Sequence, residues 1–376
     1  MAESPRPQRK MRLRDIAEEV GVSSKTVSNA YRAPGQLTPE LRQRILATAS
    51  RLGYAGPDPV ASSLRRGRVG AIGVLYANQL SYAFDDPNTN ALLSGVTSAA
   101  EAAGVGLLLL PGSVDPARRA SAVSDAVVDG IIASSLAEDD PLLQTVVDRR
   151  LPLVVVDQPS PSVLATLTQD RIPWIGIDDR AAAFGLAEHL LLLGHRRLGV
   201  VSFALRLGTP TGLATPADQD AATLSVTKNR LAGYREAAER HGIEWTRVPV
   251  SQGVDSTPAE GERGALAILS TTPRPTALIC LSDRLAEGAL TAAAKLGLRV
   301  PDDLSVVGFD DAPHLADQLG LTTVHQPSRL KGQHAAQALL ALTRGSAVDP
   351  VPPLDTTMVV RGTTRPPALP SAGAAS

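Results

Sequence analysis

Residues 13–32 read LRDIAEEVGVSSKTVSNAYR, and this stretch decides how the chain begins to fold. Its first apolar residues recur at the three- and four-residue spacing that forms one face of a helix: Leu13, Ile16, Ala17 and Val20. Gly21 then predicts a left-handed residue that ends this helix, because glycine adopts that conformation without steric cost.

A second and a third helix are predicted directly after the first. Ser23 is placed to cap the second helix, and only about three residues separate the two, which is helix-turn-helix spacing. Thr38 and Pro39 predict the start of the third helix, and Gly53 its end. The inner faces of these two helices would hold Val27, Ala30 and Tyr31, and then Leu41, Ile45, Ala49 and Leu52.

The second helix of a helix-turn-helix lies in the major groove, so its early outward side chains meet base edges. Here those side chains are Ser24, Lys25 and Asn29. Lysine donates to guanine, asparagine pairs with adenine, and serine discriminates little. The alternative is that all three are ordinary solvent-facing polar residues, which is the commoner role of such side chains.

The charge distribution favours a DNA-binding role for this segment. Residues 1–68 carry 13 Lys and Arg against 6 Asp and Glu, whereas the remaining residues carry 24 against 32. A basic segment joined to an acidic body is expected of a polyanion-binding module attached to a non-binding partner.

Three stretches of the sequence also resemble those of a known family. Residues 14–29, then Leu52-Gly53-Tyr54 and residues 58–64 (DPVASSL), closely resemble the signature of the LacI family of bacterial repressors. The resemblance implies a dimer on double-stranded operator DNA and a hinge helix that Asp58 and Pro59 begin. It also implies that Ala61 and Leu64 lie on the minor-groove side of this hinge, with Leu64 as the inserted wedge.

Beyond residue 68, apolar runs alternate with helical patterns. The runs predict buried parallel strands at 71–75, 105–110, 130–133, 153–156, 198–202, 248–250, 277–281 and 304–308. Helices are predicted between them at 91–103, 117–128, 142–149, 230–241 and 283–296. The single cysteine, Cys280, is predicted to be a buried strand thiol. The fold class is therefore an N-terminal all-α head followed by an α/β sensor of two doubly wound parallel-sheet subdomains.

This second part resembles the periplasmic-binding-protein-like sensor (type I) of the same family, with matches at residues 128–132, 193–197, 230–234, 282–288 and 306–311. The resemblance implies effector-binding side chains at Ser134, Asp157, Arg230, Ser282 and Asp310. An apolar cleft wall would come from Tyr82, Phe84 and Trp174. Two alternatives stay open: Asp283 caps its helix or meets the ligand, and Asp157 binds ligand or only shapes the end of its strand.

The predicted boundaries are disordered residues 1–10, a helix-turn-helix domain over 11–56, a hinge helix and linker over 57–68, an effector-binding and dimerisation domain over 69–365, and a disordered tail over 366–376. The two subdomains are expected at 69–165 with 325–345 and at 170–322 with 350–365. The chain would cross between them at 158–172, at 311–324 and again just before a last strand around 357–360, and residues 208–225 predict an added flexible loop.

An enzyme and a solute-binding protein are the two alternatives to a regulator. The sequence carries no phosphate-binding, dinucleotide, zinc-protease or nucleophile-elbow motif, so neither an enzyme nor a cofactor is expected. A solute-binding protein for uptake would need an export signal, and residues 1–10 offer none. No run reaches membrane-spanning length, so a cytoplasmic protein is expected. The sequence therefore predicts a ligand-responsive, dimeric transcription repressor with a sugar or nucleoside-like effector.

Overall fold

The computed structural model describes residues 11–56, 67–76, 80–112 and 115–368. The chain divides into residues 1–70 and residues 71–376. We call the first unit the head and the second the sensor, and each is described by itself. Within the described ranges, no helix combines the length and the hydropathy needed to cross a membrane.

The described residues of the head form three α-helices: α1 (Leu13–Val20), α2 (Ser24–Arg32) and α3 (Pro39–Arg51). A 3-10 turn, Pro34–Gln36, joins the last two. Their inner faces meet in one small core of Ile16, Ala17, Val20, Val27, Ala30, Ile45 and Ala49. These are the faces that the helical spacing predicted.

The predicted helix ends in the head are confirmed by their caps. The Ser23 hydroxyl accepts from the N–H of Thr26 at 3.0 Å, and the Thr38 hydroxyl accepts from the N–H of Leu41 at 3.3 Å. Gly21 adopts φ +74° directly after α1. Each helix therefore stops or starts where the sequence offers a partner for its free backbone groups.

The first lobe of the sensor is built on a five-stranded parallel sheet. Its strands are β1 (Ala71–Tyr76), β2 (Gly106–Leu110), β3 (Ile131–Ser134), β4 (Leu153–Val156) and β5 (Trp174–Ile175), in the order β2-β1-β3-β4-β5. Its helices are α4 (Leu80–Asp85), α5 (Pro87–Ala102), α6 (Pro116–Asp125), α7 (Leu142–Asp148) and α8 (Pro161–Leu167). The apolar runs predicted β1 to β4, whereas two-residue β5 has no run to mark it.

The second lobe repeats this architecture. Its strands are β6 (Leu198–Ser202), β7 (Gly212–Leu213), β8 (Val250–Gln252), β9 (Ala277–Cys280) and β10 (Ser305–Val307), in the order β10-β9-β6-β8-β7, and only β7 is antiparallel to its neighbour. Its helices are α9 (Asp179–Leu192), α10 (Pro216–Asp220), α11 (Ser225–Arg240), α12 (Pro258–Leu269), α13 (Asp283–Lys295) and α14 (Leu315–Leu319), with a 3-10 turn at Trp245–Arg247. Cys280 is fully buried in β9, as predicted.

After the second lobe, the chain passes back to the first lobe and then returns to the second. Strand β11 (Thr323–His325) pairs antiparallel with β12 (Thr357–Val359), and α15 (Ser328–Thr343) lies between them in the chain. Ala335 and Leu339 of α15 belong to the core of the first lobe. The sensor is thus two α/β lobes, each with a mostly parallel sheet, and the predicted fold class is confirmed.

Two of the three predicted crossings between the lobes are wrong. Residues 158–172 stay in the first lobe, because Leu164 belongs to its core and β5 completes its sheet, so the chain crosses after Ile175. Val324 belongs to the core of the second lobe, so the next crossing follows β11 rather than preceding it. At the third crossing Leu354 contacts the cores of both lobes.

The predicted flexible loop at residues 208–225 is folded. Strand β7 pairs with β8, and Thr215 caps α10 by accepting from the N–H of Asp218 at 3.2 Å. The Asp218 carboxylate in turn accepts from the N–H of Thr215 at 2.9 Å. The small and polar residues of this segment serve as turns and caps, which explains why composition alone suggested a loop.

Glycines allow three helix pairs of the sensor to touch backbone to backbone. A Cβ on Gly95 of α5 would lie 2.0 Å from the carbonyl oxygen of Arg329, and one on Gly332 of α15 would lie 2.0 Å from that of Leu92. The same holds where α12 meets α13 at Gly261 and Gly288, and where α11 meets α9 at Gly233. No larger residue fits these contacts without moving a helix.

Candidate functional sites

The outer face of α2 presents the predicted base-reading residues. Ser24 and Lys25 are exposed, while Asn29 is half-buried and donates from Nδ2 to Oε1 of Gln36 at 3.0 Å. The hidden face of the same helix is fixed in the head core by Val27 and Ala30. Base contact by Asn29 would therefore exchange or share its hydrogen bond with Gln36.

Three arginines hold the head together. Arg42 donates from Nε to the carbonyl oxygen of Ala30 at 3.2 Å, and Arg44 donates to that of Val20 at 3.3 Å. Arg51 pairs with Glu19 at 2.7 Å. The first two satisfy carbonyl groups near the C-terminal ends of α2 and α1, where a positive charge is favourable.

The predicted hinge lies outside the described residues. Ala61 and Leu64 both fall in the stretch 57–66, which the structure does not describe. Their assignment to the minor groove remains a prediction.

A cleft lies between the two lobes, at the carboxyl ends of the parallel strands. It encloses about 880 Å³ of space free of protein atoms, its open mouth to solvent included. The first lobe contributes Tyr76, Tyr82, Asp86, Asn88, Thr89, Ser135, Asp157 and Gln158. The second lobe contributes Phe203, Ala204, Leu207, Leu224, Val226, Arg230, Val254, Asp255, Ser256, Ser282 and Asp310, and Gln326 joins them from the second crossing.

The structure brings four of the five predicted effector residues together. Asp157, Arg230, Ser282 and Asp310 line the cleft, but Ser134 does not. Ser134 is the last residue of β3 and is only 2% exposed, so the loop residue after it, Ser135, reaches the cleft instead.

The predicted apolar wall is only partly correct. Tyr82 lines the cleft, and its hydroxyl donates across the mouth to the carbonyl oxygen of Ser256 at 3.0 Å. Phe84, on the same short helix, is 58% exposed and lies outside the lining, because its side chain faces away from Tyr82. Trp174 packs on the core of the first lobe instead. The apolar wall comes mainly from the second lobe: Phe203, Leu207, Leu224, Val226 and Val254.

Arg230 is the buried cation at the floor of the cleft. Its Nε donates to Oδ1 of Asp179 at 2.8 Å and its NH1 donates to the carbonyl oxygen of Leu281 at 2.6 Å. The guanidinium lies over the ring of Phe309, 3.5 Å from the centroid, and 3.7 Å from Oδ1 of Asp310. Burial raises the pKa of the Asp179 carboxyl and raises that of Asp310 well above its ordinary value.

The hydrogen bonds and backbone angles of Asp283 and Asp157 decide between the two roles left open for each residue. Ser282, not Asp283, caps α13, because its hydroxyl accepts from the N–H of Leu285 at 3.1 Å. Asp283 neither caps nor lines the cleft: it accepts from Ala312 N at 2.7 Å and Thr323 Oγ1 at 2.6 Å. Asp157 adopts φ +61° directly after β4 and also lines the cleft, so it shapes the strand end and faces the ligand space.

Two lining residues, Asp86 and Gln326, were not predicted from the sequence. Asp86 accepts from the N–H groups of Asn88 and Thr89 and so starts α5 before the predicted position. The pair Asp86-Pro87 is an N-cap followed by proline, a signal that could have placed this residue. Gln326 reaches the cleft only because the second crossing passes its floor, which no local pattern records.

Comparison with known proteins agrees with both halves of this geometry. Residues 12–56 match the model of bacterial regulatory proteins of the lacI family, and residues 187–364 match a periplasmic-binding-protein-like domain. An HTH-type transcriptional regulator of Mycobacterium tuberculosis is 41% identical over 369 residues, covering 97% of this chain and all of the relative. The chain belongs to the LacI family.

Solved structures of LacI-family proteins share the fold. A LacI-family regulator from Corynebacterium glutamicum matches with a TM-score of 0.71 and 35% identity over 96% of this chain and 99% of its own. The regulator CelR in complex with cellobiose matches with a TM-score of 0.66 and 26% identity over 94% and 99%. The chain is thus a LacI-family transcriptional regulator with a ligand-binding domain, and it is not an enzyme.

Proposed function

We propose that this regulator is a cytoplasmic repressor, which binds a near-palindromic operator as a dimer and changes its affinity for DNA when a sugar or nucleoside-like effector fills the cleft. The observation that carries the proposal is the cleft itself. Carboxylates from both lobes, Asp157 and Asp310, face one enclosed space beside the guanidinium of Arg230.

The charge of the lining favours an uncharged effector. Among the described residues, the lining has four aspartates, Asp86, Asp157, Asp255 and Asp310, and one guanidinium, that of Arg230, which already donates to Asp179 and to the carbonyl oxygen of Leu281. Carboxylates accept hydrogen bonds from hydroxyl groups, whereas they repel phosphate. The apolar side chains of the second lobe suit one face of a sugar or base ring. A sugar complex of the relative CelR supports the same class.

The DNA-binding half of the proposal rests on the head. Ser24, Lys25 and Asn29 would read base edges in the major groove, and Ala61 and Leu64 of the hinge would enter the minor groove. A dimer would hold two such heads at a fixed spacing and would therefore bind a near-palindromic operator. Effector binding would change the relation of the two first lobes and so the stability of the hinge, with a coupling of about 1–3 kcal/mol.

A thermal-shift screen tests the effector class. The purified chain is heated with neutral sugars, sugar phosphates, nucleosides and purine bases, and an effector at about 100 times its dissociation constant should add roughly 2.7 kcal/mol to the stability of the sensor. We expect the hits among neutral sugars or nucleosides. Hits confined to sugar phosphates would contradict the charge argument, and no hit in any class would contradict the proposed effector.

Removal of residues 1–68 separates the two halves of the function. The remaining sensor should keep the effector response and lose all operator binding, measured by gel shift on the DNA that the full chain selects from a random pool. The full chain should sediment as a dimer. Operator binding by the shortened chain, or loss of its ligand response, would refute the proposed division.

A further inference from the structure

A lysine is buried beneath the cleft without lining it. The side chain of Lys331, on α15 of the first lobe, is only 1% exposed. Its Nζ lies 2.7 Å and 3.0 Å from the two carboxylate oxygens of Asp157, and 2.6 Å from Oε1 of Gln326. Burying an ammonium group costs several kcal/mol of lost hydration free energy. Only acceptors with good geometry offset this cost. The three donors of Lys331 are accordingly all directed at named acceptors.

Lys331 fixes which way the Gln326 amide points. A lysine only donates hydrogen bonds, so the oxygen of the amide must face it. The amide nitrogen then faces the other way, where it donates to Oδ1 of Asp310. A continuous chain of hydrogen bonds therefore runs from Asp157 in the first lobe, through Lys331 and Gln326, to Asp310 in the second.

The two ends of this hydrogen-bond series are the carboxylates of Asp157 and Asp310, which face the cleft from opposite lobes. Asp157, Gln326 and Asp310 line the cleft, whereas Lys331 does not line it and bonds to Asp157 and Gln326. Asp157 is also held from its backbone, because Trp174 donates from Nε1 to its carbonyl oxygen at 2.9 Å. Lys331 can thus affect a ligand only through the residues that it orients.

We propose that Lys331 is a positioning residue of the effector cleft, which orients the Asp157 carboxylate directly and the Asp310 carboxylate through Gln326. The inference rests on the proposed function, in which the cleft binds the effector. Its consequence is that the acceptors of the two lobes are aligned before ligand arrives, which lowers the cost of ordering them on binding.

The test uses tryptophan fluorescence as a gauge of local charge. The chain has two tryptophans, so Trp245→Phe leaves Trp174 as the reporter beside Asp157. In that background Lys331→Met should leave Asp157 without its partner and raise the ratio of caesium to iodide quenching by about 1.5-fold or more, because a bare carboxylate attracts cations. Asp157→Asn should lower the ratio, and the double variant should return it close to the parent value.

This pattern of signs separates positioning from mere packing. A lysine that only fills space would give no change in the ratio with Lys331→Met, and that result would overturn the proposal. Lys295→Met is the matched control, because Lys295 is 59% exposed and pairs with Glu262 at the surface of the second lobe. If Lys331→Met alone does not fold, the comparison of Asp157→Asn with the double variant still decides the sign.

Ligand binding supplies the functional readout. Glucose, cellobiose and adenosine are each titrated by thermal shift against the parent, Lys331→Met and Lys295→Met chains. A compound that stabilises the parent should bind Lys331→Met about 10-fold more weakly, which corresponds to roughly 1.4 kcal/mol. Equal affinity for both would overturn the positioning role. If none of the three stabilises the parent, the proposed effector class is in question, while the quenching ratios still decide on Lys331.

Discussion

The head and the sensor hold their functional side chains in opposite ways. In the head, Ser24 and Lys25 project from α2 into solvent, and the opposite face of that helix forms the core. In the sensor, Arg230 and Asp310 are buried and bonded to other protein groups as well as facing the cleft. Recognition and stability are therefore separable in the head and coupled in the sensor. The following substitutions test that contrast.

The largest effect is expected from Arg230→Met. This change leaves Asp179 and Asp310 without the guanidinium that compensates them, and breaking a buried ion pair typically costs about 3–5 kcal/mol. Urea unfolding followed by the fluorescence of Trp245, which is buried in the second lobe, measures the loss. Arg235→Met on the same helix is the control, because Arg235 pairs only at the surface with Asp220 and Glu239. Equal losses in the two variants would contradict the coupling of site and stability.

The second largest effect is a pH dependence of the stability of the sensor, which we expect Asp283 to cause. Burial raises the pKa of its carboxyl from 3.8 to about 7. Between these values the unfolded chain releases a proton that the folded sensor keeps, so stability falls as the pH rises through this window and stays low above it. The loss should be on the order of 2–4 kcal/mol.

Asp283→Asn tests this pH effect, because an amide stays neutral throughout the window. Urea unfolding at several pH values should show a much shallower decline than in the parent. The decline that remains belongs to Asp179, Asp255 and Asp310, whose pKa values burial also raises. An unchanged slope would show that Asp283 does not keep its proton in the folded state.

A change confined to recognition is expected from Lys25→Ala. Because this side chain is exposed and makes no contact in the head core, stability should change by less than about 0.5 kcal/mol. Binding should lose discrimination at one base position by about 1–3 kcal/mol, measured by gel shift on a set of single-base operator variants. A uniform loss on all of these DNAs would indicate a phosphate contact instead.

The smallest effect is expected from Ser23→Ala. The substitution removes the hydroxyl that caps α2 and should lower the stability of the head by about 1 kcal/mol. Hydrogen exchange of peptides from residues 11–56 measures this loss without interference from the sensor. Ser50→Ala, at an exposed position of α3, should leave the exchange unchanged. Equal increases in the exchange rate of the two variants would show that the Ser23 hydroxyl does not stabilise α2 as a cap.

The sequence predicted the head more accurately than the sensor for a physical reason. Helix ends in the head depend on neighbours in the chain, such as Gly21 after α1 and Thr38 before α3, so local pattern is sufficient. Strands of the sensor are also readable, because both faces of a parallel sheet are buried and leave continuous apolar runs.

Four cleft residues, Asp157, Arg230, Ser282 and Asp310, were predictable because the family resemblance pointed to them. Ser134 was assigned one residue too early, because the end of β3 cannot be read from its apolar run. Lys331 and Gln326 could not be found from the sequence at all. Their roles arise when α15 of the first lobe packs beneath a crossing that comes from the second.

The backbone contacts at the glycines also limit how the sensor can move. Helices α5 and α15 touch at Gly95 and Gly332, and α12 and α13 touch at Gly261 and Gly288. Such pairs have no layer of flexible side chains on which one helix could slide along the other, so shear within a lobe is blocked. We therefore expect the cleft to open by a hinge rotation of the two lobes, with the change in dihedral angles confined to the three crossing segments.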